Sequence, residues 1–154
     1  MLVVFSMILS LIRATLSSVP PTLLHPMQAS DSEVRRTVLV VDDFDDTRLL
    51  LRTWLERRGF RVVEADNGVD AVARAESDTP DLIIMDVQMP KLDGLAATRQ
   101  IRQVKELDNV PIVAVSAYGA DQFREQALAA GCDEYVSTPF EPAALEGIIR
   151  SLVR

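Results

Sequence analysis

The chain has 154 residues, 48% of them hydrophobic, a size that fits one domain with one buried core. A formal net charge of −7 argues against a nucleic-acid surface, and the single cysteine, Cys132, excludes an intramolecular disulfide and suits a reducing cytoplasm. Aromatic residues make up only 5%, so the core must be mainly aliphatic.

Residues 2–12 are apolar apart from Ser6 and Ser10. The run is shorter than the ~20 residues that cross a bilayer, and no stable membrane insertion is expected. No basic residue precedes it, as one would in a secretory signal. The expected explanation is a start placed upstream of the true first residue, Met27; the alternatives are a weak membrane-surface anchor and secretion. Residues 17–36 hold three of the eight prolines among small polar residues and read as linker or disorder. Residues 1–36 carry three arginines against Asp31 and Glu33, so the acidity belongs to residues 37–154, the expected domain.

From Thr37 onward, short apolar runs alternate with longer amphipathic stretches. Residues 38–41 form a β-branched strand, and 45–58 a helix with Leu49, Leu50, Trp54 and Leu55 at helical spacing, stopped by Gly59. A second strand is expected over 60–64 and, after the turn Asp66-Asn67-Gly68, a second helix over 69–75. The third pair covers 82–86 and 94–104, the fourth 111–116 and 121–130. The fifth covers 134–137 and 141–153, with Pro142 in the tolerated first turn.

Five strand–helix units imply a doubly wound, five-stranded parallel sheet with helices on both faces. Strands buried on both faces should be continuously hydrophobic, as those centred on residues 40, 84 and 113 are. In such sheets ligands bind beyond the carboxyl ends of the strands, where the strand order reverses. Asp42, Asp43, Asp86 and Ser116 all fall at strand ends of that kind. Packed carboxylates repel, so the three acids call for a divalent cation. A cation beside an anionic nucleophile points to phosphoryl transfer, with Asp86 as acceptor. The plain alternative for the paired acids is a solvated helix N-terminus, where negative charge is favourable in any case.

Several segments, in order, carry a resemblance: Val40-Val41-Asp42-Asp43-Phe44, Ile84-Met85-Asp86-Val87-Gln88-Met89-Pro90, Leu92-Asp93-Gly94, Ala114-Val115-Ser116-Ala117 and Gly131-Cys132-Asp133-Glu134-Tyr135. From about Thr37 onward the chain resembles the receiver domain of two-component response regulators, of the stand-alone type. The resemblance implies the flavodoxin-like (βα)5 fold. It implies that Asp86 takes phosphate from a histidine kinase or a histidine phosphotransfer protein. It also implies Mg²⁺ (or Mn²⁺) held by Asp43, Asp86 and the backbone carbonyl of Gln88, with Asp42 acting mainly through a coordinated water. Ser116 matches the hydroxyl that hydrogen-bonds a phosphoryl oxygen, Ala117 the residue whose N–H faces the same oxygens, and Tyr135 the aromatic rotamer switch. Gln88 and Tyr118 match positions that set phosphoryl lifetime. The implied protein is a cytoplasmic phosphoacceptor rather than an enzyme, limited to self-phosphorylation and slow autodephosphorylation.

One position departs from the pattern. Receivers end the fifth strand with a lysine before proline; here Val136-Ser137-Thr138-Pro139-Phe140 puts Thr138 there. Losing that cation costs roughly 1.5–3 kcal/mol of charge-assisted contact. Lys91, in the loop after Asp86, is the alternative cation. The alternative function is a degenerate receiver acting as a phosphorylation-independent binding module. No output domain follows in the sequence, so a downstream protein target is expected on the face of the fourth helix, fifth strand and fifth helix. His25, the lone histidine, lies in the leader, so no histidine relay within the chain is expected. A flavodoxin-type flavin site is disfavoured by the acidic loop 42–46, and a phosphohydrolase by Gln88 where a second acid is wanted.

Overall fold

The computed structural model describes residues 35–117 and 121–153; expectations about the leader and about Tyr118 lie outside the described residues. Five strands, β1 (Thr37–Val41), β2 (Arg61–Ala65), β3 (Leu82–Asp86), β4 (Ile112–Ser116) and β5 (Glu134–Ser137), form one parallel sheet in the order β2-β1-β3-β4-β5. Five helices connect and close them: α1 (Asp45–Glu56), α2 (Gly68–Asp78), α3 (Gly94–Ile101), α4 (Asp121–Ala130) and α5 (Pro142–Leu152). The expected doubly wound architecture is present.

Strand side chains alternate between the two faces, and the two faces use different packing. Val38, Val40, Leu82, Ile84 and Val113 point to one side, where Leu51, Trp54 and Leu55 of α1 and Leu145 and Ile149 of α5 cover them. Leu39, Val41, Ile83, Met85, Ile112 and Ala114 point to the other, under α2, α3 and α4. That second layer is built with Ala71, Ala75, Ala97, Ala127 and Ala130, whose small side chains let three helices lie close to the sheet. Each fully buried Leu or Ile contributes about 1.5–3 kcal/mol, so the aliphatic strands carry most of the stabilisation. Cys132 belongs to the second layer; burial pushes its thiol pKa up, consistent with a packing role.

Helix boundaries differ from expectation where tertiary contacts override periodicity. The second helix runs three residues past Ala75 because polar residues continue its ladder until Thr79 adopts φ 42°. The third stops at Ile101 rather than 104. There the N–H of Gln103 bonds the nearer carbonyl of Gln100, and Arg102 donates to the carbonyls of Gly131, Leu107 and Val110 instead of lying along a helix. The first helix ends at Glu56, and Gly59 at φ 90° turns the chain into β2, which begins at Arg61. Among the described residues, no helix is long and apolar enough to cross a membrane.

Candidate functional site

Register brings the acids together. Val41 of β1 pairs with Met85 of β3, so the residues that follow, Asp42 just past β1 and Asp86 at the last position of β3, lie side by side at the sheet edge. Between these strands the sheet order reverses, with β2 outside β1 and β4 outside β3. The crevice at their carboxyl ends is therefore the ligand-binding position of a doubly wound sheet. Asp42, Asp43 and Asp86 each present a carboxylate oxygen there, all within 4.8 Å of one another.

Local hydrogen bonds orient two of the carboxylates. Asp42 Oδ1 accepts the N–H of Phe44 at 2.8 Å, and Asp86 Oδ1 accepts the N–H of Gln88 at 3.1 Å. Behind Asp86, the Asp93 side chain caps α3 by accepting the N–H of Ala96 at 2.8 Å. The next residue must be small: a Cβ on Gly94 would run into the carbonyl oxygen of Asp86.

Burial, followed by the proximity of Asp43, pushes the Asp42 carboxyl up to about 6, against lowering by the Phe44 N–H and Arg48. Burial likewise pushes Asp86 up to about 7, with Asp42 and Asp43 adding to the rise and the Gln88 N–H opposing it. Both shifts come first from burial, with repulsion between the neighbouring carboxylates added to it. One Asp43 oxygen, Oδ1, is buried without a hydrogen-bond partner. A hard divalent cation fits this donor set, because carboxylate and carbonyl oxygens suit Mg²⁺ or Mn²⁺ and would satisfy the orphaned oxygen.

On the α1 and α5 face, a cavity of about 270 Å³ adjoins Asp86. Its polar wall includes Asp42, Asp86, Gln88 and Ser116; its apolar wall includes Leu51, Ile84, Val115 and Phe140. Thr138 also lines it, yet its N–H and hydroxyl both point to the carbonyl of Ser116, at 2.8 and 3.4 Å. A hydroxyl has one proton to donate, so that contact competes with any phosphoryl oxygen. The Thr138–Pro139 peptide is cis. Among the described residues, no lysine or arginine lines the cavity; Lys91 is exposed at φ 68° and takes no part in it.

Of the residues expected in the site, Asp42, Asp86, Gln88, Ser116 and Thr138 share this cavity wall, and Asp43 completes the carboxylate cluster. Tyr135 is half-buried against the layer under α2, α3 and α4 and does not line the cavity. Sequence reasoning does not single out Arg48, whose Nη1 donates to the Asp42 carbonyl at 2.7 Å and which pairs with Asp45. Its signal is the i,i+3 spacing from Asp45. The apolar lining has no comparable signal, since separate segments supply it.

Comparison with known proteins gives consistent results. A family model described as the response regulator receiver domain matches residues 38–150. The alkaline phosphatase synthesis transcriptional regulatory protein PhoP of Bacillus subtilis is 36% identical over 121 residues, covering 79% of this chain and 50% of PhoP. The polar-differentiation response regulator DivK of Brucella anthropi is 32% identical over 114 residues, covering 73% of this chain and 93% of DivK. A crystal structure of the receiver domain of a Pseudomonas aeruginosa sensor histidine kinase, with a magnesium ion coordinated in its active-site cleft, superposes with a TM-score of 0.72. It is 34% identical and covers 77% of this chain and 98% of that one. The chain spans about half the length of several transcriptional regulators it matches.

Proposed function

This chain belongs to the response regulator receiver family of two-component systems, and from that premise we propose that it is a phosphoacceptor whose acceptor atom is a carboxylate oxygen of Asp86. The observation that carries this reading is the convergence of Asp86 with Asp42 and Asp43 where the strand order reverses. Asp86 is positioned by the Gln88 N–H, which leaves its second oxygen available to attack phosphorus. In transfer from a phosphohistidine of a histidine kinase or a histidine phosphotransfer protein, an Asp86 oxygen–phosphorus bond forms as the nitrogen–phosphorus bond breaks. The imidazole leaves with the electron pair and takes up a proton. The product at Asp86 is a mixed anhydride.

Asp42, Asp43, Asp86 and the Gln88 backbone carbonyl would hold Mg²⁺ or Mn²⁺. When bound, the ion offsets the charge of the carboxylates and the incoming phosphoryl oxygens. The Ser116 hydroxyl and the Ala117 N–H donate to those oxygens, while Thr138 leaves its position without a cation. By their family positions, Gln88 and Tyr118 would set the lifetime of the anhydride. Tyr135 reads out the phosphorylated state by a rotamer change. Output runs through the face made by α4, β5 and α5, where Leu128 is 42% exposed and Arg124 of α4 lies 3.7 Å from Glu134 of β5. Phosphorylation shifts a pre-existing equilibrium of that face, which a protein target reads.

Incubation with acetyl phosphate and Mg²⁺, followed by intact-mass measurement, tests the reading. The wild type gains one phosphoryl group and Asp86→Ala gains none. No gain in the wild type, with a cognate kinase as well, would favour the second reading, a binding module that works without phosphorylation. The observation favouring that second reading is the Thr138 hydroxyl turned toward Ser116.

A further inference from the structure

A second cavity lies at the opposite edge of the sheet from Asp86. Phe60 immediately precedes β2, whose first residue, Arg61, pairs with Thr37 at the start of β1, so this is the amino end of the strands. Trp54, Arg58 and Phe60, from the end of α1 and the turn after it, and Glu146, Ile149 and Arg150 of α5 enclose about 180 Å³. None of them lines the cavity beside Asp86. The charged groups here are already ordered. The Arg58 guanidinium lies 4.0 Å from the centroid of the Trp54 ring, and its Nη1 donates to the Trp54 carbonyl at 3.1 Å. Glu146 holds both arginines: its Oε2 accepts from Arg58 Nε at 3.0 Å and its Oε1 from Arg150 Nη2 at 2.8 Å. Hydrogen bonds from Arg150 and then Arg58 keep the Glu146 carboxyl below the usual carboxylate range, so this acid is ionised and engaged. Two guanidiniums against one carboxylate leave positive charge in excess, and Arg58 Nη2 and Arg150 Nη1 donate to no group among the described residues. The buried Trp54 Nε1 has no hydrogen-bond partner either. We propose that this cavity binds a small amphiphilic monocarboxylate, its apolar body against Trp54, Phe60 and Ile149 and its carboxylate accepting from Arg58, Arg150 and the Trp54 indole N–H.

The lining discriminates among ligand classes. A carboxylate carries acceptors only, which suits a wall whose unused polar groups are all donors. An ammonium would add charge of the sign already in excess. A divalent cation finds one acid in the wall, Glu146, with both oxygens taken by arginines. An inorganic anion leaves the Trp54, Phe60 and Ile149 surface in water, and a neutral hydrocarbon leaves the indole N–H unsatisfied. Arg58 is fixed in advance by the Trp54 ring, the Trp54 carbonyl and Glu146, so it loses little freedom when it takes a charge-assisted contact. The volume of about 180 Å³ is close to the ~150 Å³ at which an engineered apolar cavity takes up benzene, so a short-chain acid has room. The site is independent of the phosphoacceptor chemistry and of the carboxylate cluster; its ligand would bridge α1 and α5.

Titration of the full chain with sodium n-pentanoate, followed by NMR of the indole N–H of Trp54, the sole tryptophan, tests the site directly. A saturable shift of that signal is expected, with the amides of Phe60 and Ile149 moving at the same half-saturation. Sodium acetate, with the charge but not the chain, and pentanamide, with the chain but not the charge, should each bind about tenfold more weakly or worse. Arg58→Gln should lose about tenfold in pentanoate affinity. Arg150→Gln alters a side chain that is 75% exposed, leaves the core untouched and should lose several-fold. An indole signal that stays in place, shifts that do not saturate, equal affinity for pentanamide or acetate at matched ionic strength, or wild-type affinity in either variant would overturn the proposal. Phosphoryl uptake at Asp86 is a separate readout, and either result can fail without the other.

Discussion

The two flanks of Asp86 are built on opposite principles. Toward β1, Asp42 and Asp43 crowd negative charge against it and leave an Asp43 oxygen unpartnered. Toward β5, Ser116, Thr138 and Phe140 offer hydroxyls and apolar surface around a cavity that no lysine or arginine lines among the described residues. One flank demands positive charge; the other supplies none. On the proposed reading, a phosphoryl group at Asp86 would be stabilised mostly by a cation held on the acidic flank, with the hydroxyl flank fixing geometry.

The sharpest way to break the comparison is to remove the group both flanks share. Asp86→Asn keeps the shape and the Gln88 N–H contact but lacks the nucleophile, so phosphoryl uptake from acetyl phosphate should vanish in intact-mass spectra. Uptake persisting in that variant would move the acceptor elsewhere. A more structural intervention is Gly94→Val, whose side chain collides with the Asp86 carbonyl. It should cost about 1–3 kcal/mol in urea unfolding, as overpacking does. A cost confined to a few tenths would mean that α3 does not press on the Asp86 loop.

Thr138→Lys sharpens the contrast by giving the neutral flank a charge. Phosphoryl uptake should rise by about tenfold, in line with one charge-assisted contact. Unchanged uptake would show that the acidic flank and its metal suffice. The smallest effect concerns pH. Asp42 and Asp86 titrate at about 6 and about 7 when folded, against an ordinary value of 3.8, so between about pH 4 and 7 the folded chain holds more protons than the unfolded one. Stability of metal-free protein should therefore fall as pH rises through that window, with the penalty fully present above it. Glu146, lowered by Arg150 and Arg58, works in the opposite sense at lower pH. Melting temperatures in EDTA across this range should decline in the wild type and decline less in Asp86→Asn.

Much of this was legible beforehand, and the reasons are local. Aliphatic runs ending in Asp42-Asp43 and in Asp86 announce buried parallel strands with polar ends, and parallel register then brings those ends together. Thr138 was legible as a departure because Pro139 and Phe140 hold its place in the pattern. What stayed hidden depends on contacts between distant segments. The early end of α3 reflects Arg102 tying down the loop after it, and the cavity exists only once Leu51, Ile84, Val115 and Phe140 meet. The direction of the Thr138 hydroxyl, toward Ser116, likewise follows from β4–β5 pairing rather than from residue type.

The proposed phosphoacceptor chemistry requires Asp42, Asp43 and Asp86 to take up one divalent cation together at the strand reversal. Calorimetric titration of metal-free protein with Mg²⁺, in the wild type and in Asp43→Asn, measures it directly. Saturable one-site binding is expected in the wild type and its loss in the variant, which should remain folded. Equal binding by both proteins, or none by either, would contradict it.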